Sequence, residues 1–418
     1  MSPSSTQPRS GAEQTCLIVG ASHAAAQLAP SLRQQGWTGG ITLIGDEARW
    51  PYQRPPLSKA FLAGDKDAQS LAIRSPEFYA KQGIEPCWGQ VCSIDRQAQM
   101  VALSDGRQLA YDKLALCTGA SEVRLNLPGH ELKGVHYLRS LAQVEGIRQQ
   151  LASARRVVII GGGYIGLETA ASLRKLGLEV RVLEAAKRLL QRVTAPAVAS
   201  FYARIHREAG VQIHTDTTAV AFEGDDRVRH VLCSDGQSFA ADMVIIGVGV
   251  RPNTALAATA GLAVEDGVVV DEYCQTSDPN IVAAGDCAKQ WNPRYGKSLR
   301  LESVPNAMEQ AKAAAASICG NKLAQQSLPW FWSDQYELKL QIAGLNSGYD
   351  QVVLRGDHQS GRSFSAFYLR QGQLLAADCI NRPADFVATK ALLNRGCSPD
   401  PADLAIEERP LKALLDPA

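Results

Sequence analysis

The sequence predicts an α/β chain with two Rossmann-like dinucleotide-binding domains followed by a C-terminal α+β domain. Three observations predict it. Arg156–Glu168, RVVIIGGGYIGLE, reads as an apolar strand, a G-x-G-x-x-G turn and the start of a helix. A looser copy of the same pattern begins at Thr15. Beyond about Ala324 the pattern changes to short aromatic strands. At 418 residues and 45% hydrophobic, the chain is long and apolar enough for two to four cored domains.

In the copy at Thr15, the strand Thr15–Val19 runs into Gly20-Ala-Ser22-His23-Ala24-Ala25, a helix to about Gln35 and a strand Ile41–Ile44. Ser22 stands where a second glycine is usual and Ala25 where a third is usual, so this motif is degraded. The Ser22 hydroxyl can donate to phosphate, and His23 covers the helix N-terminus. Asp46, at the end of the next strand, can hold an adenosine ribose. Pro51–Lys59 is a proline-shaped loop, and Lys59 opens a helical run, either as a surface lysine or as a cation facing a cofactor. Strand-like residues continue through Trp88–Ile94, Met100–Leu103 and Leu109–Tyr111, with a hairpin signal at Asp105-Gly106. An apolar strand Lys113–Cys117 ends in Thr118-Gly119, and a charged helix over Ala142–Ala152 precedes the intact motif.

In the intact motif, Gly161 permits the turn, Gly163 lets backbone approach a pyrophosphate, and Gly166 lets the helix pack on its strand. Glu184 ends the next strand, Val180–Leu183, 23 residues beyond Gly161, where a carboxylate accepts hydrogen bonds from a ribose 2′-OH and repels a 2′-phosphate. NADH is therefore favoured over NADPH, with Lys187 and Arg188 as the opposing cations. Two such motifs in one chain suggest two dinucleotides, FAD and NAD(P)H. A strand Met243–Val248 closes this α/β unit, and Gly267–Asp271 and Ile281–Ala284 are further strands. Gly285-Asp286 is expected to open a helix N-terminus, where Asp286 either grips a ribityl hydroxyl or serves as an N-cap. An alanine-rich helix is expected over Pro305–Ile318.

The aromatic strands Trp330–Tyr336, Leu338–Ile342, Gln351–Leu354, Phe364–Leu369 and Leu374–Cys379 predict a mostly antiparallel sheet with a helix Arg382–Leu393 against it. The segment after Ser398 reads as a loosely held tail. By residue number the expected domains are 1–113 with 248–324 for FAD, 114–247 for NADH, and a C-terminal domain 325–418.

Composition narrows function further. With 43 basic against 42 acidic residues, overall charge predicts neither nucleic-acid nor membrane attraction. No apolar run spans a bilayer, and Met1–Thr15 has no signal-peptide core, so the cytoplasm is the expected location. Ten scattered cysteines include no C-x-x-C, and no metal site is indicated. Cys87 and Cys92 share the C-x-x-x-x-C spacing of flavin disulfide reductases, but such a pair is expected on a helix soon after the first motif. They fall instead in strand-like sequence and read as structural.

Six stretches together resemble the FAD-dependent, NADH-using ferredoxin reductases of bacterial oxygenase systems, which have the glutathione-reductase-like arrangement of domains. They are YQRPPLSKAFLAG (Tyr52–Gly64), RVVIIGGGYIGLE, RVTAPAV (Arg192–Val198), QTSDPNIVAAGDC (Gln275–Cys287), ESVPNAMEQA (Glu302–Ala311) and PWFWSDQY (Pro329–Tyr336). The resemblance covers nearly everything after residue 15. It implies that Ala24, Asp46, Lys59, Val91, Arg139, Asp286 and Val304 contact FAD, with Arg54 in the same flavin-side loop. Gly20, Ser22, His23, Thr118, Gly119 and Gly285 complete that set. Gly161, Gly163, Tyr164, Ile165, Gly166 and Glu184 are the NAD set. Tyr164 would shield the flavin until NADH displaces it, and Glu168 would pair with Lys59 beside the ring.

The implied reaction is hydride transfer from NADH to flavin N5, with donor carbon and ring about 3–3.5 Å apart. Single electrons then pass to a [2Fe–2S] ferredoxin that feeds a cytochrome P450 or a Rieske-type oxygenase. Trp332 is the candidate aromatic near the exit edge. Arg74, Lys312, Lys339 and Lys390 are the candidate basic contacts for an acidic ferredoxin, and a monomer is the expected state. Two alternatives share the fold. A disulfide or peroxide reductase needs a redox cysteine soon after the first motif, and none lies between Cys16 and Cys87. A signalling flavoprotein resembling apoptosis-inducing factor would bind NADH but turn over slowly.

Overall fold

The computed structural model describes residues 14–415. Most of the polar segment Met1–Thr15 therefore lies outside the described residues.

Along the chain, β1 (Thr15–Val19) leads to α1 (His23–Gln34), β2 (Gly40–Gly45), β3 (Ile84–Trp88) and β4 (Lys113–Leu116). Then come β5 (Val135–Tyr137), β6 (Arg156–Ile160), α2 (Tyr164–Lys175), β7 (Glu179–Leu183), α3 (Pro196–Glu208), β8 (Gln212–His214) and β9 (Met243–Ile246). The last third holds β10 (Ile281–Ala283), α4 (Val304–Ile318), β11 (Trp330–Gln335), β12 (Leu338–Gly344), β13 (Gln351–Arg355), β14 (Phe364–Arg370), β15 (Gln373–Ile380), α5 (Pro383–Arg395) and α6 (Pro401–Ala405).

These elements form two compact units. One contains the chain up to Gln53, Leu71–Ser121 and Arg251–Ser327; the other contains Arg54–Ser70, Glu122–Val250 and the chain from Leu328. In the first, a parallel sheet has the order β10-β4-β1-β2-β3. Its central strand, TCLIV, is buried on both faces, as a continuous apolar run in a parallel sheet must be. Ala24, Ala25, Ala29 of α1 and Ala307, Ala311, Ala314 and Ala315 of α4 share one core, so alanine is what lets these helices approach closely. The hairpin at Asp105-Gly106 joins Met100–Leu103 to Gln108–Ala110.

The second unit repeats the theme with a parallel sheet β8-β7-β6-β9-β5. It adds an antiparallel sheet β11-β12-β15-β14-β13, against which α5 packs. The chain is thus α/β with Rossmann-type parallel sheets and a C-terminal α+β region.

Three local expectations are corrected. Gly285-Asp286 opens no helix: Gly285, at φ +88°, turns the chain into the strand Ala288–Asn292, which pairs with Gly267–Val270. The strand-like run Trp88–Ile94 breaks at Gly89-Gln90, between β3 and a strand Val91–Asp95. The described segment after Ser398, up to Leu415, is not loose. Leu404, Leu411 and Leu414 are buried in the C-terminal core, and the buried Arg355 guanidinium donates to the carbonyls of Leu404, Ile406, Glu407 and Arg409. Pro401 opens α6, and Pro410 precedes a 3-10 turn, Leu411–Leu414, of a packed segment.

Candidate active site

In both parallel sheets the chain leaves the central strand in one direction and returns on the other side. The crevice outside the carboxyl ends at that switch is where such sheets bind nucleotides. In the first unit it lies between β1 and β4. Gly20 has φ +115°, and a Cβ there would sit 2.1 Å from the carbonyl oxygen of Cys117, so the Gly20–Ser22 loop runs hard against Cys117–Gly119. Thr118 is held from behind, its hydroxyl donating to the Asn253 carbonyl (2.8 Å) while the Asn253 amide donates to the Thr118 carbonyl (2.8 Å). A Cβ on Gly285 would lie 3.2 Å from that of Ala24, and the Gly285 N–H donates to Gln310 Oε1 at 2.8 Å.

Gly20, Ala24, Thr118, Gly119 and Gly285 are thereby brought to one end of the sheet. Ser22 and His23 stand at the start of α1, with Ser22 Oγ 3.4 Å from His23 Nδ1. Asp46 is exposed just past β2, Val91 begins its own strand, and Val304 is the first residue of α4. Asp286 follows the Gly285 turn. Arg54, Lys59 and Arg139 belong to the second unit, where Arg54 Nη1 donates to the Arg139 carbonyl at 2.8 Å.

The second unit carries the intact motif. Gly161, at φ +110°, would bring a Cβ to 2.4 Å from the Gly247 carbonyl oxygen, and a Cβ on Gly166 would lie 2.1 Å from the Gly161 carbonyl oxygen. Turn and helix start are thus locked to each other. A Cβ on Gly163 would meet nothing within 4 Å, so the loop faces open space where backbone could approach a phosphate. That open side, at the N-terminus of a twelve-residue helix, fits a dinucleotide. Ile165 is exposed on the first turn of the same helix.

Glu184 braces this loop, with Oε2 accepting from Gly162 N–H at 2.6 Å and Oε1 from Ala186 N–H at 2.7 Å. Gly162 must itself be small, since a Cβ would fall 3.0 Å from Glu184 Oε2 and 2.5 Å from Leu189. Of the two opposing cations, Arg188 is committed to the carbonyls of Thr194 and Gln191 (2.9 and 3.0 Å), and Lys187 is exposed.

One turn into α2, Glu168 is buried. Lys59 Nζ lies 2.7 Å from its Oε2, the two side chains being 19% and 6% exposed. This exposure excludes a plain surface lysine. Ser58 Oγ donates to the same oxygen at 2.6 Å, and Ser333 Oγ donates to Oε1 at 2.7 Å. Lys59 also donates to the Pro55 carbonyl at 3.2 Å, at the end of a single 3-10 turn, Pro55–Ser58, made from the proline-rich stretch. A charge this enclosed persists because every donor around it is aimed at it.

Tyr164 packs its ring on Phe331, centroids 5.0 Å apart. Its hydroxyl is buried with no hydrogen-bond partner among the described residues, and burial holds the phenol well above its ordinary pKa. Trp332 is half-buried, its ring 6.4 Å from Phe331 and 5.6 Å from Trp330.

Ser58, Ser333, Gly162 and Gln310 carry no signal of these roles in the sequence, and for the two serines no local spacing aims a hydroxyl at a carboxylate more than a hundred residues away. The basic candidates are divided, with Arg74 and Lys312 in the first unit and Lys339 and Lys390 in the second. Lys312 pairs with Glu309 at 2.7 Å, Arg74 lies over the Phe78 ring, and Lys390 Nζ sits 5.1 Å from the Trp330 ring centroid. Lys339 is exposed on β12. All ten cysteines are free; Cys87 is buried on β3 and Cys92 exposed on the following strand. Among the described residues no helix is long and apolar enough to cross a membrane.

Comparison with known proteins places this geometry. Residues 14–311 match the pyridine nucleotide-disulphide oxidoreductase family and residues 330–415 the reductase C-terminal family. The chain is 45% identical over 411 residues to putidaredoxin reductase of Pseudomonas putida, covering 97% of each. Among solved structures it resembles the covalent putidaredoxin reductase–putidaredoxin complex, with TM-score 0.93, 45% identity, and 97% of this chain and 98% of that one covered. It also resembles the ferredoxin reductase for the CYP199A2 system of Rhodopseudomonas palustris, with TM-score 0.94, 43% identity, and 97% of this chain and 100% of that one covered.

Proposed function

The chain belongs to the pyridine nucleotide-disulphide oxidoreductase family, among its FAD-containing, NADH-using ferredoxin reductases, and from that premise we propose which residues carry the reaction and what accepts the electrons. The enzyme moves electrons from NADH through FAD to a ferredoxin that serves an oxygenase. Bound FAD supplies the conversion between a two-electron hydride donor and a one-electron acceptor. Neither a signalling flavoprotein nor a disulfide reductase is favoured, and the buried Cys87 and exposed Cys92 on successive strands suit no redox pair.

In our reading the first unit is the FAD-binding part, through Gly20, Ser22, His23, Ala24, Asp46, Val91, Thr118, Gly119, Gly285, Asp286 and Val304. The NADH part lies in the second unit, within Glu122–Val250, and acts through Gly161, Gly163, Tyr164, Ile165, Gly166 and Glu184. We read the region from 325 onward as a C-terminal domain. Arg54 and Arg139, on two separate loops joined by their hydrogen bond, meet the flavin as well.

The observation that carries the reading is the buried Glu168 carboxylate paired with Lys59, one turn beyond an intact dinucleotide loop. We assign the pair the role of holding a fixed positive charge beside the flavin ring, where negative charge develops as hydride arrives. Tyr164 covers the ring until the nicotinamide takes its place, and its buried phenol stays protonated throughout the neutral range.

The acceptor is a [2Fe–2S] ferredoxin, met by Trp332 and by Arg74, Lys312, Lys339 and Lys390, with the enzyme acting as a cytoplasmic monomer. Purified protein with NADH, a panel of [2Fe–2S] ferredoxins and cytochrome c as final acceptor tests the proposal. Rapid coupling with at least one ferredoxin, weakened by salt, is expected. Absence of coupling with all of them would overturn it, and charge reversal of the four cations without effect would remove the docking assignment alone.

A further inference from the structure

The reach of the Glu168 site extends beyond the pair. Behind it stands a row of polar side chains, all buried in the second unit: Ser333, Gln335 and His206. Gln335 Nε2 donates to Ser333 Oγ at 3.2 Å, His206 Nε2 lies 2.9 Å from Gln335 Oε1, and the Tyr336 hydroxyl lies 3.1 Å from His206 Nδ1.

Chemistry fixes the direction of each bond. An amide oxygen only accepts, so His206 carries its proton on Nε2. Burial pushes the His206 pKa down to about 4, leaving Nδ1 free to accept from the Tyr336 phenol. The donors therefore run one way, from Tyr336 through His206, Gln335 and Ser333 to the carboxylate. A chain of bonds so aligned polarises each member toward the charge at its end.

The alternation of β11 explains how one strand builds this. Phe331, Ser333 and Gln335 project to the face that meets Tyr164, Glu168 and His206, while Trp330 and Trp332 project to the other. With Lys59 and Ser58 both on Oε2, among the described residues only Ser333 holds Oε1. It sets the plane of the carboxylate and so the position of the ammonium bonded to it.

We propose that Ser333, Gln335 and His206 are positioning residues for hydride transfer: they fix the Glu168 carboxylate and, through it, Lys59. The inference rests on the assignment of the Lys59–Glu168 pair made above. The row adds no charge at neutral pH, since its histidine is neutral; its work is orientation. A misplacement of the ammonium by a fraction of an ångström is enough to slow a reaction that depends on alignment.

The test is stopped-flow reduction of the FAD-loaded full chain by NADH. Ser333→Ala is expected to lower the limiting rate about tenfold, the size of one lost hydrogen bond to a charge, with half-saturation by NADH changed less than about twofold. In a Glu168→Gln background the same substitution should slow the reaction by less than about twofold more, because the row acts only through that carboxylate. Gln335→Met, which keeps the volume, should give about a threefold loss, and it decides by the same criteria should Ser333→Ala fail to hold FAD. If Glu168→Gln is slow while Ser333→Ala and Gln335→Met reduce at the parental rate, the positioning role is overturned and the pair stands. If Ser333→Ala slows both backgrounds equally, the role is again overturned. If Glu168→Gln itself reduces at the parental rate, the pair and the inference fall together.

Discussion

The two nucleotide loops are built on one plan and differ in what the plan leaves free. In both, the first glycine lies at strongly positive φ with its missing Cβ pressed toward a carbonyl of the neighbouring strand, Cys117 in one and Gly247 in the other. The third position diverges. Gly166 has the Gly161 carbonyl oxygen 2.1 Å from where a Cβ would be, whereas the first loop carries Ala25, fully buried in a core of alanines. The eighth residue of the motif diverges in chemistry: Glu168 collects three donors, while its counterpart Gln27 donates to Ser31 of its own helix at 2.9 Å. The first loop is a cradle alone. The second is a cradle with a charged group one turn behind it.

Exchanging the third residues tests this contrast most severely. Gly166→Ala forces backbone apart inside a locked turn and should cost about 3 kcal/mol or more in denaturant unfolding. Ala25→Gly removes one methyl and adds chain entropy, for about 1 kcal/mol. Equal, small costs at the two sites would mean that the loops are not sterically different.

Next in size is the pair of substitutions at Glu168 and Gln27. Glu168→Ala removes the acceptor for Lys59, Ser58 and Ser333 together, and hydride transfer should slow about 100-fold, with FAD retained in the absorbance spectrum. Gln27→Ala should leave the same rate unchanged within about twofold. If Glu168→Ala released FAD and spared the hydride rate, Glu168 would belong to the cofactor's attachment and not to the chemistry.

What was legible beforehand follows from the range of the interactions. Both parallel sheets announced themselves as apolar runs ending in glycine, because a strand, its turn and its helix start are local. The antiparallel strands from Trp330 onward were legible for the same reason. Gly285-Asp286 misled because a strand followed by Gly-Asp is equally a helix start and a turn into a strand, and only the pairing with Gly267–Val270 decides. The prolines after Ser398 suggested a loose tail, yet Arg355, far back in the chain, supplies the donors that hold it. Lys59 read locally as a surface residue, and only the resemblance lifted it. The serines that complete the Glu168 site were silent, since a serine carries no pattern until its partner is beside it.

A smaller effect is expected at Glu184. Its two oxygens each accept one loop N–H, and we propose that its charge disfavours a 2′-phosphate. Glu184→Gln keeps one acceptor and removes the charge. NADH kcat/KM should fall, and the preference for NADH over NADPH should relax about tenfold. With Arg188 tied to its own loop, Lys187 remains the cation that could meet the added phosphate. An unchanged ratio of the two kcat/KM values would show that selectivity lies outside this carboxylate.

The smallest expected change is the most discriminating for the opening contrast, because it writes the first loop's residue into the second. Gly163 has φ −79°, open to any residue, and a Cβ there would touch nothing within 4 Å. Gly163→Ser should therefore fold with stability within about 0.5 kcal/mol of the parent. Its effect should appear only when a dinucleotide approaches, as a severalfold rise in the KM for NADH, since the added atoms occupy the space the phosphates need. The reverse exchange, Ser22→Gly, should likewise leave stability nearly unchanged and alter only how tightly FAD is held. A large loss of stability for Gly163→Ser, with KM unaltered, would mean that the second glycine serves the fold. The degraded first motif would then differ from the intact one in architecture, and not simply in how each loop meets its phosphates.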